Sequence, residues 1–297
     1  MCPLCKDPKS RVVKDGFFPR AVGHIKRVQR YRCRACKRKF SSQTGALTYR
    51  ERKPHLTHKV MRLLMEGVSQ RGCARSLRCT QTTVANKLVR LGARAQMHLS
   101  ARSSDDIAKS MPIEIVIFDE METFEHSKCK PVAIAIAVNA ANRCVIAAEV
   151  AVMPAKGKLA PISRKRYGKR QDDRPETMRR VLSEVHRLCP AVTLLKSDKC
   201  PRYPGYVKKI FEKHLKHETH KGRKGCVVGQ GELKRGGRDP LFALNHTCAM
   251  FRDRIKRLSR RTWCTTKRVD RLGCLVHLYA WWHNQMIFRA KTPLAMT

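Results

Sequence analysis

The spacing of apolar residues along the chain changes twice. Over the first fifty residues, short β-type runs (VVKDGFF, then VQRYRC) alternate with basic and turn-forming positions. The period then becomes helical: Val60, Leu63, Leu64 and Met65 recur at three and four, and Gly67 ends the run. Ser69 can cap a short second helix, QRGCARSL, Arg78-Cys79 makes a turn, and Thr80 can cap a third helix, QTTVANKLVRLGARA. From residue 113 strands and helices alternate. IEIVIFDE (113–120) reads as a buried strand, and PVAIAIAVN (131–139) and CVIAAEVAV (144–152) as a hairpin around Ala140, Ala141, Asn142 and Arg143. A basic Gly- and Pro-containing stretch (156–175) reads as a mobile loop. ETMRRVLSEVHRL is a helix on Met178, Val181, Leu182, Val185 and Leu188, and AVTLLKSD (191–198) is a strand. A helix YPGYVKKIFEKHL, a Gly- and Lys-rich loop (221–238) and two helices over 240–261 and 270–288 complete the pattern.

Charge narrows the class of partner. The 297 residues carry 64 Lys and Arg against 23 Asp and Glu, a formal net charge of +41. Such an excess makes a polyanion the default partner, because each neutralised phosphate releases a condensed counterion. No apolar run is long enough to span a membrane, no amphipathic or lipidated anchor is evident, and MCPLCKDPK lacks the apolar stretch of a signal peptide. No membrane partner is expected. A cytoplasmic location is expected, where thiols stay reduced and cysteines serve as metal ligands or buried apolar groups.

Four cysteines stand apart. Cys2-Pro-Leu-Cys5 and Cys33-Arg-Ala-Cys36 form two knuckles, each aiming two thiolates at one point, and together they make a tetrahedral Zn²⁺ site. Four thiolates leave no open coordination position, so this zinc is structural. Cys73, Cys79, Cys129, Cys144, Cys189, Cys200, Cys226, Cys248, Cys264 and Cys274 lack knuckle spacing and read as buried or inert. The three helices that follow, with a short second member and a tight turn, describe a helix-turn-helix or a plain three-helix bundle. On the first reading Gln81, Thr82, Thr83, Asn86 and Lys87 face DNA, while Val84, Leu88 and Leu91 face the core.

The β-β-β-α-β-α order beyond residue 110 is that of a ribonuclease H-like domain. The expected fold class is therefore α/β, with the zinc ribbon at 1–45, the helix-turn-helix at 55–100 and the catalytic domain at 110–297. In that fold the first and fourth strands are neighbours, so Asp119 and Asp198 would meet at their ends. Paired carboxylates on adjacent strands are what Mg²⁺ needs beside a scissile phosphate; each acid alone is equally readable as a solvated strand end. Arg252, Lys256, Arg260 and Lys267 suit either a phosphate backbone or a solvated helix face. Tyr279, Trp281 and Trp282 read as core or dimer packing.

With its knuckles, the EGVSQRGCARSL segment, the Asp119-Glu120 pair and the run RDRIKRLSRRTWCTTK, the chain resembles DDE transposases of the insertion-sequence-one type. The resemblance covers nearly the full length. It implies hydrolysis at transposon ends with Mg²⁺ or Mn²⁺, attack of the freed 3′-hydroxyl on target DNA, and a homo-oligomer, dimer or larger, on double-stranded DNA. The family's third acid, a glutamate, precedes the Arg-rich run by seven residues, and that position here is Asn245. Asparagine is a neutral oxygen donor; Asp239 and Asp253 are the acids nearby. Two other functions compete: a non-catalytic DNA-binding regulator derived from a transposase, and a metal-dependent nuclease without strand transfer.

Overall fold

The computed structural model describes residues 1–19, 27–46, 48–104, 113–211, 215–221, 239–259 and 263–289. The chain divides into two compact units, Met1–Leu63 with Gln70–Lys87, and Leu64–Ser69 with Leu88–Thr297. No described helix is long and apolar enough to cross a membrane.

The first unit opens with three antiparallel strands, β1 (Val12–Pro19), β2 (Arg27–Cys33) and β3 (Lys39–Ser41), in that spatial order. Their apolar core is slight. Among the described residues up to 46, the buried apolar side chains are Cys2, Val28 and Cys33. Two helices follow, α1 (Thr57–Met65) and α2 (Gln70–Ser76), and then the start of α3 (Gln81–Ser100). The expected helix boundaries are met. Gly67 and Arg78 take positive φ, +78° and +48°, where the chain turns between helices. Thr80 Oγ1 accepts from the Thr83 N–H at 3.2 Å, the N-cap bond anticipated for α3.

The second unit is a mixed α/β domain built on a five-stranded sheet. Its strands are β4 (Ile115–Phe124), β5 (Pro131–Asn139), β6 (Val145–Val152), β7 (Leu194–Asp198) and β8 (Lys216–His220). They lie in the order β6-β5-β4-β7-β8; β5 runs antiparallel to both β6 and β4, and β7 runs parallel to both β4 and β8. β5 is buried along almost its whole length because helices cover both faces of the sheet. The helices after β6 are α4 (Leu159–Tyr167), α5 (Arg174–Leu188), α6 (Tyr203–Ile210), α7 (Phe242–Arg254) and α8 (Val269–Arg289). Met178, Val181, Leu182, Val185 and Leu188 of α5 enter one core with Val116, Phe118, Ala135, Ala137 and Leu195.

Two elements depart from the sequence expectation. Residues 159–167, read as loop, form α4, which a buried Ser163 anchors by donating to the Cys129 carbonyl at 2.6 Å. The helix beginning at Tyr203 stops at Ile210, and β8 appears beyond it; β8 was not anticipated. Its sequence KHETH has no apolar alternation, and backbone pairing with β7 makes it a strand. Gly92 of α3 meets α8 closely, since a Cβ there would lie 2.5 Å from the Cys274 Cβ. The outer edge of β6 is closed by side chains: Arg102 donates to the carbonyls of Val145 and Ile146, and Asn284 bonds both polar groups of Val145.

Candidate functional site

The four cysteines of the knuckles converge. Cys2 and Cys36 have their sulfurs 3.8 Å apart, as do Cys5 and Cys33, and all four lie within 4.8 Å of one another. A tetrahedron with Zn–S bonds of about 2.3 Å has edges of about 3.8 Å, so the cluster fits a structural metal such as zinc. The two knuckles share one backbone device: the residue after each second cysteine, Lys6 and Lys37, takes positive φ, at 54° and 57°. The Leu4 N–H points at the Cys2 sulfur at 3.4 Å. The backbone N–H of Cys36 is the main cause that draws the Cys33 thiol down to about 6, which favours the thiolate a metal requires.

On α3 the predicted DNA-facing residues divide. Gln81, Thr82 and Asn86 are exposed and Thr83 is half-buried, whereas Val84, Leu88 and Leu91 are buried. Lys87 departs from expectation: it is only 5% exposed and does not face solvent. Its ammonium donates to Glu51 Oε2 and to Thr57 Oγ1, each at 2.7 Å. Position 87 sits on the inward face between Val84 and Leu88, and Glu51 supplies the countercharge that makes burying the lysine tolerable.

In the second unit the sheet register brings the two acids together. Ile115, Val116 and Ile117 pair with Leu194, Leu195 and Lys196, an offset of 79 residues (194 − 115 = 79). Continued two positions, this offset sets Asp119 level with Asp198 (119 + 79 = 198) and on the same face. Asp198 ends β7, but Asp119 lies in the middle of β4: the expectation of two strand ends fails there, because pairing with β5 carries β4 on to Phe124. Asp119 Oδ1 accepts from the Tyr203 hydroxyl at 3.0 Å and from the Glu120 N–H at 2.7 Å. Asp198 Oδ1 accepts from the Cys200 N–H at 2.9 Å. Burial first, and then the charge of Asp198, push the Asp119 carboxyl up to about 6. Glu120 takes the other face, where Arg202 approaches it at 3.8 Å.

The same register extends to β8, where His220 pairs with Asp198, so that Asp119, Asp198 and His220 form a row across three adjacent strands. His220 Nε2 is buried without a hydrogen-bond partner, 3.7 Å from Glu218 Oε2. Sequence reasoning missed His220 and Glu218; the available signal was their period-two spacing just beyond the helix at Tyr203.

Asn245 lies on α7, which packs on β4 and β5. Its side chain is exposed, and its amide donates to Asp239 Oδ2 at 2.8 Å, while Asp239 Oδ1 accepts from the Leu241 N–H at the helix start. Cys248 lies three residues further along; burial chiefly, opposed by the charge of Arg252 and reinforced by that of Asp119, pushes its thiol up to about 12. Asp253 is exposed and pairs with Arg254 at 3.2 Å. Among the described residues, the four cysteines are the only set of three or more Cys, His, Asp or Glu groups with ligand atoms this close together.

Of the basic candidates, Lys256 and Lys267 are exposed and Arg252 is half-buried, while Arg260 lies outside the described residues, as does Cys226. Tyr279 is core, its ring 4.7 Å from that of Phe251, and Trp281 stacks on His98. No protein-family model matches the chain, and no curated protein matches it.

Proposed function

We propose that this chain is a DNA transposase of the insertion-sequence-one type, with a ribonuclease H-like catalytic domain preceded by a zinc ribbon and a helix-turn-helix. One observation carries the reading: the parallel register of β4 and β7, continued two positions, sets Asp119 level with Asp198 on one face, and the charge of Asp198 is felt at Asp119. The sheet order, with β4 central between an antiparallel hairpin and two parallel strands, agrees with that fold. The cysteine cluster agrees with a ribbon holding Zn²⁺. The net charge of +41 suits a double-stranded DNA partner, both transposon ends and target. Joining two ends calls for a homo-oligomer on DNA.

The residues suit a hard divalent cation. Asp119 and Asp198 would hold Mg²⁺ or Mn²⁺, which takes one or two carboxylates and keeps its other sites for water and phosphate. When bound, the ion supplies charge neutralisation at the scissile phosphate and activates the attacking oxygen. The chain's own part is positional. Two strands fix the half-buried carboxylates, and the Tyr203 hydroxyl orients Asp119. The position to which the resemblance assigns the third carboxylate holds Asn245, which is exposed and bonded to Asp239; the amide of Asn245 or the carboxylate of Asp239 would supply the third ligand.

A second reading, a DNA-binding regulator derived from a transposase, is favoured by that same pairing, because Asn245 is already engaged with Asp239. The two readings separate in a strand-transfer assay on DNA carrying the cognate ends. The transposase reading expects cleavage and joining that Asp198→Asn abolishes without loss of DNA binding. Specific end binding with no cleavage in either Mg²⁺ or Mn²⁺ would leave the regulator.

A further inference from the structure

A concentrated basic surface surrounds α4. Residues 156–170 contain seven Lys or Arg and no acid. Lys156, Lys158, Arg164, Lys165, Arg166 and Lys169 are all exposed. Lys156 pairs with Glu122 at 2.6 Å. The side chains of Lys158, Arg164, Lys165, Arg166 and Lys169 have no acidic partner among the described residues. Five neighbouring cations without countercharge repel one another, and such a surface is stabilised by a polyanion laid across it.

The segment is also firmly held. At its neck Arg170 donates to the carbonyls of Met153 and Pro131 at 3.2 and 3.4 Å, and the Asp173 N–H donates to the Val152 carbonyl at 2.9 Å. At its tip Ser163 bonds Cys129, and the Lys130 ammonium sits 5.3 Å from the Tyr167 ring centroid. A surface fixed in this way loses little conformational freedom on binding.

Its position is informative. Cys129 lies in the turn joining β4 to β5, so α4 stands by that turn, beyond Phe124, on the side toward which β4 runs on from Asp119. Asp119 and Phe124 are five residues apart on β4, roughly 17 Å at about 3.4 Å per residue. One DNA strand presents a phosphate about every 3.4 Å, so that distance corresponds to about five nucleotides.

We propose that α4, with Lys158 and Lys169, is a phosphate clamp that grips the DNA duplex flanking the phosphate presented to Asp119 and Asp198. This rests on the proposed function and adds a substrate-holding surface to it. The test combines Arg164→Gln, Lys165→Gln and Arg166→Gln in the full chain and measures duplex binding across a range of salt. Loss of three phosphate contacts lowers the slope of log K against log salt by about 2.7, at about 0.9 per contact, with an unchanged circular dichroism spectrum. The control is Lys208→Gln with Lys209→Gln, two exposed cations in the last turn of α6, whose first residue, Tyr203, marks the carboxyl end. The control leaves the slope unchanged. If the triple variant keeps the original slope while the unaltered chain binds DNA, the clamp is wrong and the proposed function stands. An equal loss per charge in the control would also overturn the clamp, because the attraction would then be diffuse. If the unaltered chain shows no salt-dependent duplex binding, the proposed function fails, and the clamp fails with it.

Discussion

Replacing Asp119 by Asn separates what this carboxylate does for the site from what it costs the fold. In protein dialysed free of magnesium and manganese, the Asp119 carboxyl is raised from 3.8 to about 6 by burial and by the charge of Asp198. A difference of about 2.2 units at 1.36 kcal/mol each amounts to roughly 3 kcal/mol, an upper figure because the side chain keeps some contact with water. For an acid whose folded value is raised, the associated stability is fully present below about pH 4 and is lost as pH rises through about 6. The metal-free chain is therefore expected to lose up to about 3 kcal/mol across that window, and Asp119→Asn to lose none of it. Asparagine retains an oxygen to accept the Tyr203 and Glu120 hydrogen bonds. At pH 7.5 the variant should thus melt higher, by up to about 6–12 °C at about 2–4 °C per kcal/mol. Adding Mg²⁺ or Mn²⁺ should raise the Tm of the unaltered chain and leave the variant unmoved. Scanning calorimetry at pH 4.5, 6 and 7.5, with and without metal, reads all of these quantities. A variant less stable than the parent at pH 7.5 without metal would refute the electrostatic argument, and an equal metal shift in both proteins would refute the ligand assignment.

Three further outcomes are expected. Cys33→Ser with Cys36→Ser should abolish binding of one zinc per chain and unfold the ribbon, because burial of Val28 contributes only about 2 kcal/mol against the 10–16 kcal/mol that a structural zinc supplies; metal analysis finding full zinc in the variant would contradict this. Gln81→Ala, Thr83→Ala and Asn86→Ala together should remove sequence preference and leave salt-dependent binding nearly intact, as measured by competition between specific and random duplexes; a parallel fall in both affinities would disprove the assignment of α3. Gly92→Ala should destabilise the chain by about 2–4 kcal/mol, because the added methyl meets the Cys274 Cβ at 2.5 Å and its backbone at 2.6 and 2.8 Å; a denaturant midpoint equal to that of the parent would contradict the close helix approach.

Much of the site was legible in local sequence. The two CxxC spacings announced the sulfur cluster, since four residues on a knuckle leave two thiols little choice of direction. The helix boundaries at Gly67, Arg78 and Thr80 followed from turn and cap chemistry, which acts within four residues. Asp119 and Asp198 could be picked out because each follows an apolar run, but their meeting depends on a parallel register between segments 79 residues apart, and that β4 continues past Asp119 to Phe124 depends on pairing with β5; only strand pairing decides either. The same nonlocal pairing makes a strand of the polar KHETH segment and brings His220 into line with Asp198. Lys87 went inward because Glu51, 36 positions earlier, waits there with the opposite charge, a partner invisible to helical periodicity. Residues 159–167 became helix because Ser163 and Tyr167 found anchors on the β4–β5 turn. Composition, cap chemistry and short-range spacing fixed the local elements and the metal knuckles. Which carboxylates face one another, which cation is buried and which stretch of basic chain is rigid were decided by long-range packing, because those energies exist only between residues that folding brings together.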